Sequence, residues 1–199
     1  MSLFSIFTEP RKMKAHIDDS SAKENLEAQL SEYFLSARKR PTVILGIGTD
    51  RSTGDALGPL IGTHLTRLGL PGLHVYGTLD EPVHAANLEL NVNDILKTFN
   101  NPFILAVDAC LGRVDSIGCI SLAEGPLKPG AGVHKKLPLV GDAHLIGIVN
   151  VGGFMEHMVL QNTRLNLVWR MSENITSLIS RSYLSTRNKE NLAVAKPLA

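Results

Sequence analysis

The chain has 199 residues and a mass of 21.6 kDa, and 44% of its residues are hydrophobic, so it can bury one substantial core and we expect a single domain. Its 20 Lys and Arg nearly cancel its 19 Asp and Glu, which argues against nucleic acid or an anionic membrane as the primary partner. Two cysteines are too few for a disulfide scaffold and no apolar run reaches about 18 residues, so we expect a cytoplasmic protein with no membrane span.

The pattern along the chain predicts an arm, one domain and a tail. Residues 1–20 mix charges with short apolar pieces without a period, and we expect them to form an N-terminal arm. Residues 21–24, with the sequence SAKE, fit a capping box, and apolar residues then recur at helical spacing up to the basic run 38–40. This amphipathic helix opens a single α/β domain over 21–184, and residues 185–199 are predicted to be a flexible tail.

Within the domain, strand patterns alternate with helix patterns. Short β-branched runs without polar alternation are typical of strands buried on both faces of a parallel sheet. The strand and helix patterns cover, in chain order, strand 42–47, helix 57–68, strand 73–77, a helix within 84–99, strands 103–107, 117–122 and 145–151, and helices 153–161 and 163–183. The strand at 117–122 follows too closely for a crossover helix, so it should pair antiparallel or form an edge hairpin. The Gly- and Pro-rich segment 125–141 is expected to be a long functional loop.

This alternation predicts a mostly parallel sheet with helices on both faces, and therefore a place for the site. In the common strand order, the strands at 42–47 and 103–107 lie side by side, and a crevice opens at their carboxyl ends. Asp55 follows the first of these strands and Asp108 ends the second. Because two neighbouring carboxyls cannot both ionise cheaply, we expect one acid and one base, a pair that can hydrolyse an amide. Asp55, near a helix N-terminus, would be the base and Asp108 the acid, or the roles could be reversed.

Other interpretations of these residues stay open at this stage. Asp55 could instead cap a helix, and Asp108 could bond loop amides. Cys110 could be a nucleophile, although a small buried cysteine is commoner. Candidate substrate-binding residues lie in the loop before Asp55 and after the second strand, namely Asp50, Arg51, Ser52, Thr53 and His84. Arg51 could hold a substrate carboxylate or brace the loop.

Two ligand classes need separate statements. Gly46 and Gly48 begin like a dinucleotide fingerprint, but Arg51 replaces the next glycine and no Gly-Lys-Ser/Thr closes the loop, so nucleotide binding is not supported. A metal could be held by the two aspartates together with one of several histidines, although each histidine singly is more often a surface or core residue. These are His84, His134, His144 and His157.

Five segments together resemble the YyaC-type sporulation proteins, relatives of the spore germination protease. They are GIGTDRSTGDALGPLIGT, VYGTLDEPVHA, AVDACLG, LKPGAGV and GIVNVGGFMEHMVLQNTRL, and the resemblance covers roughly residues 41–170. It implies a phosphorylase/hydrolase-like fold, a three-layer α/β/α sandwich with a mostly parallel central sheet, shared with the hydrogenase-maturation endopeptidases. It also implies a spore-forming bacterium as the source.

The resemblance further implies an activity. The germination protease is an atypical acid peptidase that degrades small acid-soluble spore proteins, and its proposed catalytic aspartates correspond by motif to Asp55 in GDALGP and Asp108 in AVDA. We therefore expect an endopeptidase without a cofactor, acting on a protein or peptide in sporulation or germination. One alternative is a non-catalytic peptide-binding or scaffold relative. Another is a maturation-type peptidase holding a divalent metal such as nickel on Asp55, Asp108 and His144, and a homo-oligomer is left open.

Overall fold

The computed structural model describes residues 12–129 and 137–194, with side chains as far as residue 187. The elements of these residues alternate as the sequence predicts, apart from an additional first strand. In chain order they are β1 Lys12–His16, α1 Ser20–Ser36, β2 Thr42–Gly46, α2 Leu57–Leu68, β3 Leu73–Tyr76, α3 Leu88–Thr98, β4 Phe103–Gly112, a 3-10 turn Val114–Ser116, β5 Cys119–Glu124, β6 Ala143–Val151, α4 Glu156–Gln161 and α5 Leu165–Val194.

The strands form one mixed sheet in the order β1-β5-β6-β4-β2-β3. Strands β6, β4, β2 and β3 are parallel, whereas β5 runs antiparallel to both of its neighbours, β1 and β6. The predicted neighbourhood of β2 and β4 is therefore confirmed, as is the antiparallel pairing of β5. Strand β5 lies inside the sheet and not at its edge, because β1 covers its outer side.

Helices pack on both faces of this sheet, which confirms the α/β class with a mostly parallel sheet. Helices α1, α2 and α5 bury their apolar side chains against one face, with Leu30, Ile61 and Ile175 among the fully buried residues. Helix α3 covers part of the other face through Leu88 and Ile95. None of the helices in the described ranges has the length and apolar character that crossing a membrane requires.

Three local expectations at the ends of the domain were wrong. Residues 12–16, assigned to the arm, form an edge strand, because their backbone pairs with a strand far along the chain. Helix α1 is capped by Asp19, whose side chain accepts a hydrogen bond from the Ala22 amide at 3.0 Å, and not by Ser21. Helix α5 continues through residues 185–194, which were assigned to the tail. The central part of the expected loop 125–141 lies outside the described residues.

Candidate functional site

Asp108 lies on β4 at the point where this strand extends beyond the end of its neighbour β2. Strand β2 ends at Gly46, which pairs with Val107, and the Ile47 amide donates to the Val107 carbonyl at 2.7 Å. Strands β4 and β6 continue together to Gly112 and Val151 as a ribbon beyond this level. We call this two-stranded extension, residues 109–112 and 147–151, the ribbon. Asp108 therefore lies at the foot of the ribbon, beside the carboxyl end of β2.

Asp55 is held against the chain that leaves β2. The Thr49 amide donates to the Asp55 carbonyl at 3.1 Å, which folds the loop back onto itself. At Gly48, where φ is +146°, an added Cβ would lie 1.9 Å from that carbonyl oxygen, so only glycine fits. At Gly58, an added Cβ would lie 2.2 Å from the Ile47 carbonyl oxygen, so α2 packs its backbone directly on the end of β2. These close approaches hold Asp55 against the end of β2, the strand that pairs with β4, which carries Asp108.

The electrostatics of Asp108 differ from those of an ordinary carboxyl. Burial raises the pKa of Asp108 to about 8 and the negative charge of Asp55 adds to the rise, while a hydrogen bond from the Ala109 amide opposes it. Asp108 is therefore mostly protonated at neutral pH, and Asp55 lies near enough for its charge to favour that protonated form.

The structural alternatives for the two aspartates fit only in part. Helix α2 begins after Ala56, with no side-chain cap, so Asp55 is not its N-cap. The Asp55 carboxylate has no hydrogen-bond partner among the residues that the structure describes. One oxygen of Asp108 accepts the Ala109 amide at 2.8 Å, a local contact that leaves its second oxygen available.

The candidate substrate-binding residues do not all face the crevice. Asp50 and Arg51 are exposed and Thr53 is half-buried. Ser52 is only 4% exposed, and its hydroxyl has no hydrogen-bond partner within the described ranges. The loop therefore turns the Ser52 side chain into the protein, and contact between Ser52 and a substrate stays a prediction.

His84 follows a residue whose backbone contacts the loop after β2. The Gly48 amide donates to the Val83 carbonyl at 2.8 Å, which sets His84 beside the loop that carries Asp55. Its Nδ1 accepts the Ala86 amide at 3.3 Å, and this bond leaves Nε2 as the ring nitrogen that can face a ligand.

The expected nickel ligands are not brought together. Among the described residues, no three His, Cys, Asp or Glu side chains form a group that could hold a metal ion. His144 pairs in register with Ala106, two residues before Asp108 towards the amino end of the sheet. Its Nδ1 lies 2.9 Å from the Gly125 carbonyl oxygen. The expected metal-binding set of Asp55, Asp108 and His144 was therefore wrong, since the His144 side chain hydrogen-bonds to the loop after β5.

The remaining candidates are readily placed. Burial raises the pKa of Cys110 to about 11, with the charge of Asp108 adding to it, so a thiolate nucleophile at neutral pH is not supported. His157 is exposed on α4, with its Nε2 3.1 Å from the Gln161 amide nitrogen. His134 lies outside the described residues.

Sequence reasoning missed a group of exposed apolar residues beside the site. Phe154 is 88% exposed in the turn between β6 and α4, and Met155 and Met158 are about half exposed, at 54% and 49%. The signal in the sequence was GGFMEHM, in which large apolar residues follow two glycines immediately after a strand. The sequence pattern predicts only that this run begins the short helix at 153–161.

Comparison with solved structures shows which known protein has a similar fold. The crystal structure of the [NiFe] hydrogenase maturation protease HycI from Thermococcus kodakarensis KOD1 is similar, with a TM-score of 0.51 and 18% sequence identity. The match covers 78% of this chain and 98% of that one, so the two share an α/β fold.

The sequence comparisons give the family. Residues 14–178 match the family described as "Protein of unknown function (DUF1256)", and the chain belongs to it. The chain is 50% identical over 190 residues to "Uncharacterized protein YyaC" of Bacillus subtilis (strain 168), covering 96% of this chain and 92% of that protein. The resemblance to YyaC-type proteins is thereby confirmed.

Proposed function

We propose that this protein is an aspartate-dependent endopeptidase that uses Asp55 and Asp108 to hydrolyse a peptide bond. One observation carries the proposal. Asp108, whose pKa is raised to about 8, lies on β4, and Asp55, whose charge contributes to that rise, lies on the loop that follows the adjacent parallel strand β2. Pairs of acids in environments that separate their proton affinities are typical of acid–base catalysis.

The two groups suit complementary steps. The Asp55 carboxylate, which accepts no hydrogen bond from the described residues, accepts a proton from a water molecule as the water oxygen attacks the scissile carbonyl carbon. Asp108, which keeps its proton at neutral pH, donates a hydrogen bond to the carbonyl oxygen and stabilises the developing charge. The proton held by Asp55 then passes to the leaving amine as the C–N bond breaks. The proposed steps use only these two carboxyls and a water molecule.

The biological setting is part of the proposal. The chain shares its fold with a maturation protease and its family with a Bacillus protein, which supports a peptidase of a spore-forming bacterium acting in the cytoplasm during sporulation or germination. The substrate would be a protein or peptide, with small acid-soluble spore proteins as the first to test.

The test is a cleavage assay on purified protein with matched acid-to-amide variants. Wild type, Asp55→Asn and Asp108→Asn are incubated with small acid-soluble spore proteins and with denatured casein, and fragments are identified by mass spectrometry. Glu89→Gln, an exposed acid in the first turn of α3, is the control. Each aspartate variant should lose at least about a hundredfold in rate, whereas the control keeps wild-type activity and EDTA has no effect.

Three results would count against the proposal. Activity that survives either aspartate substitution would remove the dyad from the mechanism. Activity lost to EDTA would favour the metal-dependent alternative. Binding of these proteins by wild type without any cleavage would favour the non-catalytic peptide-binding alternative.

A further inference from the structure

The surface beside the crevice carries an apolar ridge, which we define as Val151, Phe154, Met155 and Met158. All four side chains are exposed, and Phe154 has 88% of its surface open to solvent. Large apolar groups clustered on a surface mark contacts with another molecule. Their exposure therefore needs an explanation that the packing of the described residues does not supply.

Hydrogen bonds fix the ridge to both sides of the proposed site. The Gly54 amide, next to Asp55 in the chain, donates to the Leu160 carbonyl of α4 at 2.9 Å. The Gly152 amide donates to the Gly112 carbonyl at 2.7 Å, at the tip of the ribbon. The ridge therefore lies between the loop that carries Asp55 and the ribbon that rises from Asp108.

The backbone also holds the ridge outward. Met155 has φ +56°, the left-handed region that a residue with a side chain rarely adopts. Its carbonyl accepts the amides of Met158 and Val159 at 2.9 and 3.1 Å, so the strained residue is locked by the first turn of α4. Strain of this kind persists at ligand-binding positions, and methionine side chains adapt to ligands of varied shape.

The charge of the ridge limits what it can bind. Residues 151–158 contain no Lys or Arg, and the single acid among them, Glu156, has its Oε1 3.3 Å from the Gly153 amide. An anionic partner would therefore lose hydration here without gaining an ion pair with Lys or Arg. An uncharged, apolar partner loses little and buries the phenyl and thioether groups.

We propose that the apolar ridge binds a large apolar side chain of an extended peptide substrate whose scissile bond lies at the aspartate pair. This inference rests on the proposed function, because it assigns a substrate preference to the same site. It identifies the substrate class as segments with a bulky apolar residue near the cleaved bond, presented in an unfolded or loop conformation.

The test measures binding separately from cleavage. Two fluorescein-labelled ten-residue Gly/Ser peptides are used, one with a central Phe-Leu pair and one with Ser-Ser in its place, and binding is followed by fluorescence anisotropy. Wild type should bind the Phe-Leu peptide at least about tenfold more tightly. The double variant Phe154→Ser, Met158→Ser should lose that preference. Leu90→Ser, which removes a 71% exposed apolar side chain from α3, should keep it.

The possible failures are distinguishable. If wild type shows no preference, or if the double variant retains it, the ridge does not bind the substrate, whatever the result of the cleavage assay. If the preference depends on the ridge but Asp55→Asn still cleaves, the dyad is wrong and the ridge stands. Far-UV circular dichroism checks that each variant is folded. A wild-type dimer in light scattering that becomes monomeric in the double variant would overturn the proposal and assign the ridge to a second copy of the chain.

Discussion

Replacing Asp108 with Asn is expected to stabilise the protein at neutral and alkaline pH. Burial, with the charge of Asp55 adding to it, raises the pKa of Asp108 from 3.8 to about 8. Between these two values the folded protein holds a proton that the unfolded chain releases, so the free energy of unfolding falls as the pH rises. The contribution of Asp108 is complete below pH 3.8, is lost progressively up to about pH 8, and is constant above that.

The size of the effect follows from that interval. Each pH unit between the two pKa values costs about 1.4 kcal/mol, so at pH 7 a fully dehydrated carboxyl would cost about 4 kcal/mol relative to low pH. Asp108 is half-buried, and solvent screening reduces the expected cost to about 1 to 3 kcal/mol. Asparagine has no charge to lose, and its oxygen can still accept the Ala109 amide, which lies 2.8 Å from Asp108 Oδ1. At pH 7 the free energy of unfolding of Asp108→Asn should therefore exceed that of wild type by about 1 to 3 kcal/mol.

Urea unfolding followed by circular dichroism at pH 5, 7 and 9 measures the stability difference between wild type and Asp108→Asn. The difference between wild type and Asp108→Asn should widen from pH 5 to about pH 8 and then stay constant. The control Glu89→Gln makes the same acid-to-amide change on an exposed helix surface and should differ from wild type by no more than about 0.5 kcal/mol. A difference that is independent of pH, or an Asp108→Asn protein less stable than wild type at pH 9, would refute this reasoning.

Further predictions concern the loop, the thiol and the activity. Gly48→Ala should cost about 2 kcal/mol more stability than Gly153→Ala in thermal unfolding. The two glycines have similar φ angles, +146° and +141°, but only the Cβ added at Gly48 meets a backbone atom, the Asp55 carbonyl oxygen at 1.9 Å. Equal losses of stability in the two variants would contradict this prediction. Cys110 should react with iodoacetamide at pH 8 at about a hundredth of its rate in the urea-unfolded chain, because burial raises the pKa of its thiol from 9.0 to about 11. Similar rates in the folded and unfolded chains would contradict the burial of this thiol. If Asp108 is the catalytic acid, kcat should fall as the pH rises through about 8, and a profile that stays level to pH 10 would exclude that role.

The parallel core was predictable because its signals are local. The runs at 42–46 and 103–107 are apolar on both faces, which is the pattern of a strand covered by helices on either side. Right-handed crossovers then leave few strand orders, and the usual one makes these two strands neighbours. The prediction that Asp55 and Asp108 lie near the carboxyl ends of neighbouring strands followed from that order.

What the sequence did not predict depends on contacts between distant segments. Strand β1 has only five residues and alternates lysine with apolar residues, and its partner β5 lies far along the chain. The burial of Ser52 depends on how its loop folds against the rest of the domain. His144 was grouped with the aspartates by residue type, whereas the sheet register sets it nearer the amino end and gives its Nδ1 to the Gly125 carbonyl.

Strand β1 also sets an order of events during synthesis. Lys12 pairs with Ala123, so roughly a hundred residues after β1 must be synthesised before this edge can close. Until then, Lys12 and Lys14 discourage the strand from joining the same strand of a neighbouring nascent chain. A chain that lacks β1 would leave β5 with an open edge, CISLA, that has no charge before Glu124 and would promote aggregation.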